Sequence, residues 1–325
     1  MCTAVTYRNG DFYFGRTLDY DCTYGEELVF MPRNHRLCFR NADPVPKHYA
    51  ILGMAHVADG YPLYYDAMNE CGLCMAGLNF VGNAVYGTDT EKKLKIAHFE
   101  LIPRILGQCT TVREAKEMLR DISLTDVTFS EAYPSAELHW LLADRKETAA
   151  VEPVEKIMVY DDPAGVLTNN PPFPEQFFQL NRYMQLSTGQ PQNRFSDKLK
   201  LHAFSRGMGA LGLPGDFSSQ SRFVRAAFVM LNAVSGSSEQ ERIGQFFHIL
   251  DSVAQPRGCC DVGGGNYEIT VYSSCCNASR GIYYYTTYGN RQITAVDMHR
   301  EDANGESLVR YPLLTQESIF RQNGG

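Results

Sequence analysis

The tightest constraint on this 325-residue chain lies at its start. Cys2-Thr-Ala-Val-Thr-Tyr-Arg and Phe12-Tyr-Phe-Gly-Arg-Thr-Leu are β-rich runs on either side of Asn9-Gly10-Asp11, and a short turn containing Asn-Gly between such runs predicts a hairpin. The end of the second run, Gly15-Arg16-Thr17-Leu18-Asp19, is thereby returned towards Cys2. Further strand-like runs cover 27–31, 50–57, 73–80, 137–143, 156–160, 267–272, 281–288 and 292–298. Helical patterns fall mainly between them, at 97–106, 112–121, 219–234 and 238–253, with Thr111 and Ser238 placed to start two of them. Strands grouped at both ends with helical pairs between predict an α+β layered domain rather than a regular βαβ winding. The Pro-rich Asn170-Pro-Pro-Phe-Pro and the Gly263-Gly-Gly run are expected loops, not linkers, so residues 1–325 form one domain.

A net charge of -7 argues against a nucleic-acid or anionic-membrane partner, since either needs a positive surface. No run approaches the roughly 18 apolar residues of a membrane helix, and no basic, then apolar, leader opens the chain. A cytoplasmic protein with a small-molecule partner is expected. Its ten cysteines are expected to be mainly reduced and buried, because a chain this long has a core that needs no disulfide scaffold.

Cys2 has a distinct chemical option. Removal of Met1 would leave an α-amine beside the thiol; that amine has a pKa of about 7.7–8.0 and can act as a base near neutrality. A thiol of pKa about 8.5 is a weak nucleophile until a base or positive charge raises its thiolate fraction. The hairpin brings Arg16, whose guanidinium favours thiolate, and Asp19, whose carboxylate can hold an ammonium. The same pair could equally be an exposed Arg/Asp pair at a turn.

Three further segments follow in order: Asp66-Ala-Met-Asn69-Glu70-Cys-Gly72-Leu73-Cys-Met-Ala-Gly77-Leu78-Asn79-Phe80, Gly165-Val-Leu-Thr168-Asn169-Asn-Pro171, and Gly212-Leu-Pro-Gly215-Asp216-Phe-Ser-Ser-Gln-Ser221-Arg222-Phe223. Together with Cys2, Arg16 and Asp19 they resemble the choloylglycine hydrolases, the bile salt hydrolase and penicillin V acylase family of N-terminal-nucleophile hydrolases. Leu138-His139-Trp140, Phe246-Phe-His-Ile-Leu250 and Gly281-Ile-Tyr-Tyr-Tyr extend the resemblance over nearly the whole chain.

The resemblance implies a four-layer αββα sandwich, Met1 removed in the active form, and no cofactor or metal. It implies Cys2 as nucleophile, Asp19 anchoring the α-amine, and Arg16 and Arg222 supplying positive charge around thiolate and substrate. Asn169 and Asn79 would be oxyanion donors. Leu18, Tyr24, Tyr65, Phe129 and Tyr133 match places where the family's loops border the site. Their apolar faces suit a steroid or phenoxy group, although Tyr65 is bulkier than the small residue some relatives carry. Asn79 resembles the bile-salt branch, so conjugated bile acids are the expected substrate, with penicillin V or another N-acyl amide as alternatives. A homotetramer is implied on the same basis. From other classes, a catalytically inactive bile-acid-binding protein or a cysteine-rich zinc protein would not need this residue set.

Other motifs read as structural. Cys71-Gly-Leu-Cys74 has redox or zinc spacing but is placed in a strand-like run, where residues three apart face opposite sides. Cys259-Cys260 and Cys275-Cys276 are poor tetrahedral chelators. His139, beside Trp140 in an apolar strand, is expected to be a hydrogen-bonded core residue.

Overall fold

The computed structural model describes residues 1–87 and 94–323. The chain begins with β1 (Cys2–Asn9), β2 (Asp11–Tyr20), β3 (Glu27–Met31), β4 (Ile51–Ala58), β5 (Tyr61–Asn69), β6 (Cys74–Asn79) and β7 (Leu94–Ala97). Helices α1 (Leu101–Gln108) and α2 (Val112–Leu119) follow, then β8 (Ile122–Thr125), β9 (Leu138–Ala143), β10 (Thr148–Pro153), β11 (Ile157–Asp161) and β12 (Val166–Leu167). Next come α3 (Phe173–Gln179), α4 (Ser219–Leu231) and α5 (Glu239–Asp251), and finally β13 (Asp261–Gly263), β14 (Asn266–Tyr267), β15 (Ile269–Asn277), β16 (Ile282–Thr287), β17 (Asn290–Asp297) and β18 (Val309–Pro312).

Two large sheets result, in the orders β12-β1-β2-β15-β16-β17 and β11-β10-β9-β6-β5-β4-β3-β18. Strand periodicity sorts residues between two cores. Leu28 and Phe30 face the space shared by the two sheets, whereas Val29 and Met31 face α1 and α2; Leu141 and its neighbours Trp140 and Leu142 divide in the same way. Helices α4 and α5 pack on the outer face of the first sheet against β1, β12 and β15, and α1 packs on the second against β4, β5 and β6. The layers are therefore helix, sheet, sheet, helix, as the α+β and αββα expectations require. Sheets covered on both faces read as continuous apolar runs, and every residue of β3 is buried.

The expected strands and helices recur with ends shifted by a few residues. Thr111 accepts from Glu114 N, and Ser238 forms a reciprocal capping box with Glu241. Strands β5 and β10 were not anticipated: Pro62 and the tyrosines of β5, and the short Ala-Ala-Val of β10, carry no alternating pattern. The expected Asn170–Pro174 loop is shorter than predicted, because α3 already begins at Phe173. Pro is tolerated in a first turn, where no intrahelical N–H bond is lost. Cys71 is likewise not in a strand but exposed in the turn between β5 and β6, where Gly72 adopts φ 86°. The expected strand 267–272 is split, with Tyr267 ending the β13–β14 hairpin and β15 starting at Ile269.

Gly15 lets β2 lie flush against both β15 and α5. A Cβ there would sit 1.9 Å from Ser274 O and 3.0 Å from the Phe246 ring. Gly15→Ala is expected to lower unfolding free energy by about 1–3 kcal/mol, the usual cost of overpacking. Urea denaturation measures this, and an unchanged midpoint would contradict the close approach.

Candidate active site

The hairpin register sets Cys2 opposite Leu18 and Ala4 opposite Arg16. Because strand side chains alternate, Cys2, Arg16 and Leu18 project together from one face and Thr3, Thr17 and Asp19 from the other. Arg16 crosses to the second sheet, donating through Nη1 to Tyr65 O at 3.3 Å and to Gly77 O, while its buried Nη2 has no partner among the described residues. Burial alone would depress its pKa, but Cys2, Tyr272, Asp66 and Asp19 outweigh burial and hold it above the ordinary arginine value. Asp66 is itself buried, bound by the hydroxyls of Tyr272 (2.5 Å), Tyr283 (2.6 Å) and Ser274 (3.0 Å). Burial raises its pKa against the pull of Arg16 and these donors.

On the opposite face, Asp19 accepts from Thr17 Oγ1 at 3.1 Å and from Thr270 Oγ1 at 2.7 Å, Thr270 being its register partner on β15. Burial raises its pKa, opposed by Arg222 and the chain's ammonium. With Met1 in place the Cys2 nitrogen is a peptide N–H, and it donates to Asn169 Oδ1 at 2.8 Å. Arg222, fully buried on α4, fixes that amide. Its Nη2 donates to Asn169 Oδ1 at 2.7 Å, and its Nη1 to Thr3 Oγ1 at 2.6 Å and to Cys2 O. With its oxygen so committed, Asn169 turns its Nδ2 to Asn79 O at 2.8 Å, which uses one of two N–H donors.

Residues missed from the sequence lock the strand end that delivers Asn169. Asn169 N donates to Ser219 Oγ (2.8 Å), and Gln176 Nε2 donates to Asn169 O and Pro171 O. His139, stacked on Phe80, lies between Glu152 Oε1 (2.9 Å) and Thr168 O (2.7 Å). It is the hydrogen-bonded core residue expected. Nothing in spacing marked Gln176 or Ser219, because their partners, backbone groups of 169–171 and the Thr168 hydroxyl, are brought near only by folding.

A cavity of about 480 Å³ opens beside Cys2. Arg16, Asn79, Leu18, Tyr24, Tyr65, Phe129 and Tyr133 all line it, whereas Asp19, Asn169 and Arg222 lie behind Cys2 and do not. His56, whose Nε2 is 2.7 Å from the Tyr133 hydroxyl, Phe99 and Glu26 also line it and escaped the sequence reading. The site is thus a thiol between a buried guanidinium and an amide pair, open to an aromatic cavity. Among the described residues no group of three or more His, Cys, Asp or Glu could hold a metal ion.

The model of the linear amide C–N hydrolases, choloylglycine hydrolase family, matches residues 2–311. The chain belongs to that family. It is 50% identical over 324 residues to a bile salt hydrolase/transferase of Lactiplantibacillus plantarum, covering 99% of this chain and 100% of the relative. A bile salt hydrolase/transferase of Clostridium perfringens is 36% identical, with 99% and 100% covered. The crystal structure of the C2A mutant of a conjugated bile acid hydrolase from that organism superposes with a TM-score of 0.92 at 36% identity, covering 99% and 100% of the two chains. A penicillin V acylase from Agrobacterium tumefaciens shares the fold, with a TM-score of 0.77 at 22% identity and 97% and 92% covered. As a family member the chain is an amide hydrolase with the N-terminal-nucleophile fold.

The turn that leads into Asn169 generates a pH prediction. Asp162 Oδ1 accepts from Ala164 N and Gly165 N, both at 2.9 Å, and its buried Oδ2 has no partner among the described residues. Burial pushes its pKa up to about 7 despite those bonds and Arg8. The folded state therefore keeps this proton where the unfolded chain, with Asp near about 3.9, has lost it. The stabilisation is complete below about pH 4 and is lost as pH rises through about 7. Measured by urea denaturation, wild-type stability minus that of Asp162→Asn should fall from pH 4 to pH 7; a flat difference would show that Asp162 does not titrate in this window.

Proposed function

We propose that this chain hydrolyses the amide of glycine- or taurine-conjugated bile acids through Cys2 after Met1 is removed. The observation that carries this reading is the cavity: Cys2, Arg16 and Asn79 share it with Leu18, Tyr24, Tyr65, Phe129 and Tyr133, so nucleophile, charge and a large aromatic lining meet in one volume. The bile-salt names of the two relatives support the same substrate class.

In the processed chain the Cys2 nitrogen is an α-amine still facing Asn169 Oδ1. The α-amine takes the thiol proton, with Arg16 stabilising the thiolate, and Sγ attacks the amide carbonyl. Negative charge then builds on the carbonyl oxygen, and fixed donors at such a position typically contribute about 3–4 kcal/mol each. The Asn79 side chain, which lines the cavity without a hydrogen bond to any described residue, and the second N–H of Asn169 suit that task. The α-amine passes its proton to the leaving nitrogen, and water releases the acyl group from Cys2. Arg222 acts through its orientation of Asn169 and Cys2 O, and Asp19 through its charge beside the amine. Discharge of the same acyl-enzyme by an amine instead of water would be the transfer reaction that the relatives' names describe.

Steady-state assays of glycine release, taurine release and penicillin V cleavage test the reading, with intact mass measured on the active protein. Conjugated bile acids should be preferred and Met1 absent. Cleavage of penicillin V alone would move the function to the alternative, and full activity with Met1 retained would remove the α-amine mechanism.

We further infer a homotetramer at work in the cytoplasm. All ten cysteines are free, which suits a reducing compartment, and no helix of the described residues is long and apolar enough to cross a membrane. Residues 184–211 carry Met184, Phe195, Phe204 and Leu211 well exposed, an apolar load rarely left bare on a monomer. Light scattering should give four times the 36.5 kDa chain mass; a monomer mass would exclude assembly.

A further inference from the structure

Met1 is not a loose end in the unprocessed chain. Its carbonyl accepts from Asp19 N at 2.8 Å, and its ammonium donates to Asp19 O at 2.5 Å and pairs with Glu268 Oε1 at 2.8 Å. The residue is held as one more rung of the β1–β2 ladder, closed by a carboxylate. Glu268 is delivered by the Gly-rich segment 263–265. β13 and β14 form a hairpin around Gly263, Gly264 and Gly265, at φ 91°, 64° and 83°, a conformation that glycine adopts without strain. Glu268 N then donates to Cys260 O at 2.9 Å, fixing the carboxylate over the ladder's end. Neither Met1 nor Glu268 lines the aromatic cavity, and the Glu268 side chain keeps 14% exposure.

We propose that, once Met1 is removed, Glu268, Asp19 O and Asp19 N form the subsite for the amino acid that leaves or enters at Cys2. Met1 itself displays the chemistry of the site: a primary ammonium on a carboxylate and a carbonyl, with a backbone N–H one residue away to meet a carbonyl or acid oxygen. The position also suits the reaction. A nitrogen in Met1's place is one residue step from the Cys2 nitrogen, the group that exchanges protons with the amine. The acyl group occupies the cavity on the Arg16 side, so the amine portion needs a separate exit.

In hydrolysis the leaving nitrogen takes one proton from the Cys2 α-ammonium and departs past Glu268 as a neutral amine, which becomes ammonium on taking the proton released when water frees the acyl group as a carboxylate. In transfer, an amino acid bound there as ammonium gives one proton to the α-amine, and its neutral nitrogen attacks the thioester carbon. The C–S bond breaks, Sγ leaves as thiolate, and the second proton passes from nitrogen through the α-amine to that thiolate. No further reactant is needed. Glu268 is a binding residue for the amine and takes no covalent part.

The assignment rests on the reading of Cys2 as carrier of the acyl group, and the test separates the two. Wild type, Glu268→Gln and Glu268→Asp are incubated with a conjugated bile acid and increasing free glycine or taurine of a different isotope, and labelled amide is measured against free acid. Both products come from one acyl-enzyme, so a general loss of activity or of folded protein divides out of the ratio. Wild type should show saturable incorporation. Glu268→Gln should need about tenfold more amine for half-saturation, the loss of one charge-assisted hydrogen bond, and Glu268→Asp should recover part of it. Equal half-saturation in wild type and Glu268→Gln, or incorporation strictly linear in amine, overturns the subsite while leaving hydrolysis by Cys2 standing. Absence of free acid from wild type would instead remove the underlying reading.

Discussion

Arg222 is the interaction on which the catalytic end depends. A guanidinium buried without exposure is costly unless every donor has a purpose, and here the donors reach Phe217 O, Cys2 O, Thr3 Oγ1 and Asn169 Oδ1. One side chain from the outer helix layer thereby ties the first residues of β1 to the end of β12. Burial lowers its pKa, opposed by Asp19 and Cys2 nearby, and its contacts fix the geometry around its charge. Because Asn169 Oδ1 is shared by Arg222 and the Cys2 nitrogen, the amide has one orientation, and its donors point away from the amine.

Arg16 plays the complementary part from the inner layer. It is nearly as buried as Arg222, but its Nη2 is left unpartnered among the described residues and it lines the cavity. A satisfied cation organises the backbone; an incompletely satisfied one retains interaction energy for a thiolate or substrate oxygen. Asp66 and its three hydroxyl donors hold balancing charge behind it. The two arginines, read from sequence as one electrostatic set, therefore lie on opposite faces of the first sheet with different tasks.

The β1–β2 hairpin links these halves. Its register gives Cys2, Arg16 and Leu18 to the cavity and Thr3, Thr17 and Asp19 to the helix side. Extending the ladder by one residue, Met1 occupies the rung beside the nucleophile and meets Glu268. The same backbone geometry that holds Met1 would leave two peptide groups and a carboxylate next to Cys2 once Met1 is removed.

The sequence by itself determined the hairpin, most long strands and the four principal helices with their Thr111 and Ser238 caps, and its resemblance to the family singled out Cys2, Arg16, Asp19, Asn79, Asn169 and Arg222 as the candidate set that the structure gathers around Cys2. Turn chemistry, capping and apolar periodicity act over a few residues, and motif order survives without coordinates. Strand β10 was not legible because it is buried at every residue and so loses alternation, and β5 because Pro62 and apolar or aromatic residues on both of its faces hide the alternation its burial shows. Only the tertiary structure decided that the Cys2 peptide nitrogen meets Asn169 Oδ1, that Arg222 lies behind Cys2, that Gln176 and Ser219 hold Asn169, that His56 lines the cavity and that Glu268 meets Met1. Those partners are separated by dozens to hundreds of residues, and hydrogen bonds need approach to about 3 Å, a distance that only the packing of two sheets between helix layers sets.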